Sequence, residues 1–142
     1  MKKIYFLAVL LLSMAAKAFA QVTDEQEIRS LLATQVKEWN AGHIEGYMHG
    51  YWESDSLIFI GKNGPTYGFT PTLKRYQQAY PDKAHMGQLT STLIRLERLS
   101  PDYYFAIGKW ALKRTAGDVS GSWTLLIRKI KGQWTIIVDH SS

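Results

Sequence analysis

Between residues 23 and 42 the apolar positions recur at helical spacing. Ile28, Leu31, Leu32, Val36 and Trp39 share one stripe with Gln35, which predicts an amphipathic helix with one buried face. Thr23-Asp24-Glu25-Gln26-Glu27 reads as its start, Thr23 or Asp24 capping free amides and the acids suiting the positive end of the helix dipole. Asn40-Ala41-Gly42 ends it, with Gly42 placed for a left-handed cap. A short second helix is expected from about Ile44 to His49, followed by Tyr51-Trp52. The pattern then shortens. Leu57–Ile60 reads as a strand, Gly61-Lys62-Asn63-Gly64-Pro65 as a turn and Thr66–Phe69 as the returning strand. Thr70-Pro71 predicts the cap and first position of a third helix running to about Tyr80, where Pro81-Asp82 stops it.

The remainder alternates as a meander of four strands, roughly Gly87–Leu99, Tyr103–Arg114, Val119–Ile130 and Trp134–His140. Ser100-Pro101-Asp102, Thr115-Ala116-Gly117-Asp118 and Lys131-Gly132 supply the turns. These strands are long, so bulges or strong curvature are expected. Helices first and a long antiparallel sheet last make an α+β chain. A curved sheet wrapped around helices forms a cone, and its open end suits a small-molecule pocket.

Residues 1–20 stand apart. Met1-Lys2-Lys3 is positive, Ile4–Ala16 is nearly all apolar, and Ala18-Phe19-Ala20 has the small-x-small form of a cleavage site. The apolar run falls short of the roughly 20 residues of a membrane span. A signal peptide cut after Ala20 is expected, leaving one domain over 21–142 that is periplasmic or secreted and meets no membrane after cleavage. Outside the cytoplasm there is no ATP or NADPH pool, which argues against kinases and nicotinamide enzymes.

Composition changes this picture little. The 142 residues include 17 Lys+Arg and 12 Asp+Glu. Without Lys2, Lys3 and Lys17 the balance is 14 against 12, so the high pI does not signal a nucleic-acid partner. With no Cys there is no disulfide, thiolate nucleophile or zinc–cysteine site. No phosphate loop, nucleophile elbow or metal-ligand spacing occurs, and no cofactor or metal is implied. The basic set Lys109, Lys113, Arg128, Lys129 and Lys131 reads as a solvated strand face.

Candidate chemistry follows from strand alternation. Tyr104, Ala106, Gly108, Trp110, Leu112 and Arg114 share a face, and Gly108 and Ala106 are expected to leave room there, bordered by Trp110. A regular last strand puts Trp134, Ile136, Val138 and His140 inward and Asp139 outward. His140 is then a candidate acid/base, or a structural His, and Asp139 a structural residue. Tyr47, Tyr51, Trp52, Tyr67, Tyr76 and Tyr80 supply rings with polar tips, suited to core, rim or the lining of a pocket for a flat or apolar ligand. Asp55, near the expected mouth, joins the pocket candidates. Apolar residues on both strand faces, such as Leu126 and Ile137, predict a homodimer through the outer sheet face.

Three segments carry a family resemblance: Trp39-Asn40-Ala41-Gly42 leading to Tyr51-Trp52; Gly108-Lys109-Trp110-Ala111-Leu112; and Gly121–Leu126 followed by Gly132–Ser142, ending Asp139-His140-Ser141-Ser142. With the element order, they resemble the nuclear transport factor 2-like (NTF2-like), or SnoaL-like, superfamily, and most closely the bacterial family DUF4440. The resemblance implies a cone-shaped, cystatin-like fold. That fold carries enzymes such as ketosteroid isomerase and scytalone dehydratase, binding proteins and oligomerisation modules alike. Three readings follow: a domain that binds a small, partly apolar molecule without turning it over; a cofactor-independent isomerase or dehydratase-like enzyme using His140; and an interaction module with a filled cavity. The isomerase's carboxylate and oxyanion-hole pattern has no close match here; Glu53 and Asp55 do not fit it.

Overall fold

The computed structural model describes the backbone of residues 2–142 and the side chains of residues 21–142. The expected signal segment, residues 1–20, with its cut after Ala20, lies outside the described side chains. The elements run α1 (Lys2–Ala41), α2 (Ile44–Met48), β1 (Ile58–Gly61), β2 (Gly64–Tyr67), α3 (Phe69–Ala79), α4 (Lys83–Met86), β3 (Gln88–Ser100), β4 (Tyr103–Lys113), β5 (Val119–Ile130) and β6 (Gln133–Ser141). The sheet is six-stranded, in the order β2-β1-β6-β5-β4-β3. β3 to β6 form the expected meander, and β1 adds to β6 in parallel, so the sheet is mixed.

Two local expectations are corrected. The helix does not start at Thr23 or Asp24, because α1 passes through both. Asp24 is buried instead and joins α1 to the sheet: its Oδ1 accepts from Lys129 Nζ at 2.8 Å and Trp134 Nε1 at 3.2 Å. Arg98 approaches the other oxygen at 3.9 Å. The third helix is capped by Gly68 rather than Thr70, and α4 was not anticipated. The α1 stop is as expected: Gly42 has φ +85°, and its N–H donates to the Trp39 carbonyl at 2.8 Å.

The expected bulges are present and decide which side chains face in. β3 carries two, between Leu93 and Arg95 and between Arg98 and Ser100. On β6, Val138 pairs with Leu126 while Ile136 pairs with the next residue, Ile127. Ile137 is therefore an extra residue, and the inward–outward alternation restarts after it. One inward cross-strand row becomes Phe59–Asp139–Leu125–Ala106–Leu96. The row beside it, facing outward, is Ile60–His140–Thr124–Ile107–Arg95.

The core lies between the concave face and the helices, with Ile28, Trp39, Met48, Tyr104, Ile127 and Ile136 all buried. The room expected above Gly108 is taken by this chain itself. A Cβ there would collide with the Trp123 indole and the Thr92 carbonyl.

Because Asp24 satisfies two donors from two strands, Asp24→Ala leaves the buried Trp134 N–H unpaired. The expected loss is about 1–3 kcal/mol, read from urea unfolding, and Asp24→Asn, which retains an acceptor, should lose less.

Candidate functional site

Three tyrosines reach the interior from different elements. Tyr47 lies on α2 and Tyr76 on α3. Tyr51 is fixed by an isolated parallel bridge to Ile136, with Ile136 N–H donating to the Gly50 carbonyl at 2.9 Å. Their hydroxyls meet: Tyr47 to Tyr51 at 3.2 Å and Tyr51 to Tyr76 at 3.4 Å. Tyr51 donates to Asp139 Oδ2 at 2.6 Å, and Ser141 Oγ donates to Asp139 Oδ1 at 2.8 Å. Since the Tyr51 proton goes to the carboxylate, the Tyr47 and Tyr76 protons can both point at the Tyr51 oxygen. The network thus runs from two phenols through a third to one buried carboxyl.

Rings enclose it. Trp39 meets Tyr47, Tyr76 and Tyr80 edge-on, with centroids 5.1, 6.1 and 4.7 Å away, and Phe59 meets Tyr76 at 5.5 Å. The Arg75 guanidinium sits 5.1 Å above the Phe59 ring. Tyr47 and Tyr80 are only half-buried, so the cluster reaches solvent on the side of α2 and α3.

Burial governs the electrostatics. Desolvation raises the Asp139 carboxyl above its ordinary range, against the hydrogen bonds from Tyr51 and Ser141. Desolvation, reinforced by the Asp139 charge, pushes Tyr47 up to about 12 and Tyr51 well above its usual value. Tyr76 is raised as well, by burial first and then by Tyr47. The tyrosines therefore stay protonated donors across the physiological range.

The expected residues divide. Tyr47, Tyr51 and Tyr76 come together. Trp110 lies on the inward row Ser91–Trp110–Gly121, half-buried against the core. Its indole N–H is enclosed without a hydrogen-bond partner, as is the buried Tyr104 hydroxyl. Trp52 is half-buried and makes no ring contact with the cluster; its backbone N–H donates to the Ile136 carbonyl at 2.9 Å. Tyr67 is 62% exposed on β2, and Asp55 is exposed in the preceding loop, so neither faces the interior. The inward placement of His140 is corrected: the extra residue Ile137 turns it to the outer face, where it is exposed, and turns Asp139 inward to 3% exposure. His140 and Asp55 are not brought together in the interior. Asp139 is the member of the network that alternation misassigned, and the general expectation of bulges in the meander was the one signal that pointed toward it.

Among the described residues no group of three His, Asp or Glu could hold a metal ion. One cavity of about 450 Å³ lies at the lip of β3, β4 and β5, mostly among exposed residues such as Gln88, Lys113 and Asp118. A second, of about 210 Å³, lies between α1 and β3.

No family model matches the sequence, and no curated protein does. Solved structures do. An NTF-2-like protein of unknown function from Shewanella oneidensis MR-1 is 37% identical with a TM-score of 0.80, the match covering 84% of this chain and 98% of that one. A hexachlorocyclohexane dehydrochlorinase from Novosphingobium barchaimii LL02 is 16% identical with a TM-score of 0.72, over 88% of this chain and 89% of that one. A ketosteroid isomerase-like protein from Erwinia carotovora atroseptica SCRI1043 is 15% identical with a TM-score of 0.65, over 82% of this chain and 93% of that one. The last two share the fold alone.

A folded carboxyl with a raised pKa contributes stability that is fully present below its unfolded value and is lost as pH rises through the folded value. Asp139→Asn removes that loss while keeping an acceptor for Tyr51. Its melting temperature relative to the parent should rise between pH 4 and pH 8 (~4 being the unfolded carboxyl value). A pH-independent difference would contradict the assignment.

Proposed function

The chain belongs to the NTF2-like family, and from that premise we propose that it binds a small, partly apolar molecule in the aromatic interior of the cone without turning it over. The observation that carries this reading is the meeting of two phenols on a third, itself bonded to one buried carboxyl, inside a wall of rings. Such a wall holds a flat or apolar body, and the few polar groups orient it. Tyr47 and Tyr76 have hydroxyls whose donor and acceptor capacity is only partly used, so a ligand oxygen entering beside Tyr47 or Tyr80 has partners.

Asp139 favours binding over turnover. Both its oxygens are bonded, one to Tyr51 and one to Ser141, and it stands behind Tyr51. A carboxylate so placed holds a tyrosine in position and is not open to abstract a substrate proton. The catalytic reading rests on the same pair: a dehydrochlorinase and an isomerase-like protein share the fold, and a buried carboxyl of raised pKa beside a phenol can stabilise a developing oxyanion by hydrogen bonding. In that reading Asp139 and Tyr51 polarise the substrate, and the outward His140 is not the acid/base.

The rest of the proposal concerns setting. Residues 1–20 direct export, the cut falls after Ala20, and the protein works in the periplasm or outside the cell. The Asp24 contacts lie beyond that cut and keep α1 attached to the sheet after it. A homodimer forms through the outer face, where Ile58, Val138, Leu126 and Phe105 make one apolar cross-strand row. The narrower DUF4440 membership rests on the ending Trp134–Ser142.

Native mass spectrometry of the protein from its own compartment tests the binding reading: a retained small molecule is expected. Tyr76→Phe removes one hydrogen-bonding hydroxyl and should weaken that ligand up to about tenfold, while costing the fold about 1 kcal/mol or less. No retained ligand, and no thermal shift in a broad screen, would leave the filled-cavity module as the better account.

A further inference from the structure

We propose that the cleft between α1 and β3 is a second binding site, which takes a small carboxylic acid with an apolar body, of short-chain or single-ring size. The cleft holds about 210 Å³, below the roughly 300–1,000 Å³ typical of drug-sized ligands. It lies on the flank of α1 that carries Leu32 and Val36. Gln35 projects toward α2 instead and donates to the Tyr47 carbonyl at 3.1 Å. The cleft is therefore separate from the tyrosine network.

Its walls are apolar and internally satisfied. Leu32 and Val36 face Leu93 of β3 and the Trp123 indole. The polar atoms of the wall already pair with each other, Trp123 Nε1 donating to Ser91 Oγ at 3.1 Å. Arg29 is the sole ionisable residue in the lining. It is exposed and makes no ion pair with any described residue. Glu25, one helical turn earlier, accepts from Gln21 Nε2 at 3.3 Å. An apolar trough with a single free guanidinium at its rim is complementary to an amphiphilic anion: the carboxylate meets Arg29 through two parallel N–H···O bonds and the body lies on Leu93 and Trp123. β3 is the terminal strand of the sheet, so the trough opens beside an edge and a ligand enters without disrupting strand pairing.

The test follows the Trp123 indole N–H in proton–nitrogen correlation spectra of the whole chain, assigned with Trp123→Phe. Benzoate and hexanoate are titrated against benzyl alcohol and hexanol. Saturable shifts are expected, at concentrations about tenfold lower for the acids than for the alcohols. Arg29→Gln should erase that preference. Ala33→Phe, which fills the trough from an exposed helix position, should abolish both responses. Asp139→Asn should leave the titrations unchanged, which separates this site from the tyrosine interior. The proposal is overturned if the signal never saturates, if acids and alcohols bind alike in the parent, if Asp139→Asn removes the response, or if the signal moves with protein concentration alone, as a second copy in the cleft would cause.

Discussion

A buried carboxyl with one phenol bound to it organises the interior of this cone. Asp139 sits where water cannot solvate it, so its charge is tolerable only with donors in place. Tyr51 and Ser141 supply them. Tyr51 in turn gathers Tyr47 and Tyr76, and through them α2 and α3 are tied by polar contacts to the central strand β6. Remove the inward orientation of Asp139 and Tyr51 loses its acceptor, and with it the fixed oxygen on which Tyr47 and Tyr76 meet.

That orientation depends on one residue of backbone. Strand periodicity is two, so a single insertion exchanges the faces of everything after it. Ile137 is that insertion, and it leaves the two ends of β6 serving different purposes. Before it, Trp134 and Ile136 fill the core and Trp134 reaches Asp24; after it, Asp139 enters the interior and His140 leaves it. The anchor at Asp24 and the network at Asp139 hold the same strand from opposite sides of the bulge.

Most of the fold was legible in the sequence. The four long strands, their turns and the Gly42 stop follow from alternation and turn chemistry, and the structure keeps them within a residue or so. The third-helix cap differs because Gly68, at φ +90°, lets the chain enter the helix before Thr70. The Asp24 cap was misread for a different reason: a helix stripe records only apolar spacing, and a carboxylate meeting Lys129 across 105 residues leaves no local trace. The site was half legible. Tyr47, Tyr51 and Tyr76 stood out as rings with polar tips, whereas Asp139 and His140 were exchanged because a run of alternating residues does not show where a bulge falls. Gly108 misled as well. A missing side chain marks a close approach as readily as an empty space, and here Trp123 makes that approach.

The most direct test is a nuclear Overhauser measurement that places the two neighbouring side chains of β6. The account predicts a slowly exchanging, strongly deshielded Tyr51 hydroxyl proton with cross-peaks to the Tyr47 and Tyr76 rings and to the Asp139 methylene, and a His140 ring close to Ile60 and Thr124. Cross-peaks from the His140 ring to those tyrosines, with Asp139 facing water, would contradict it.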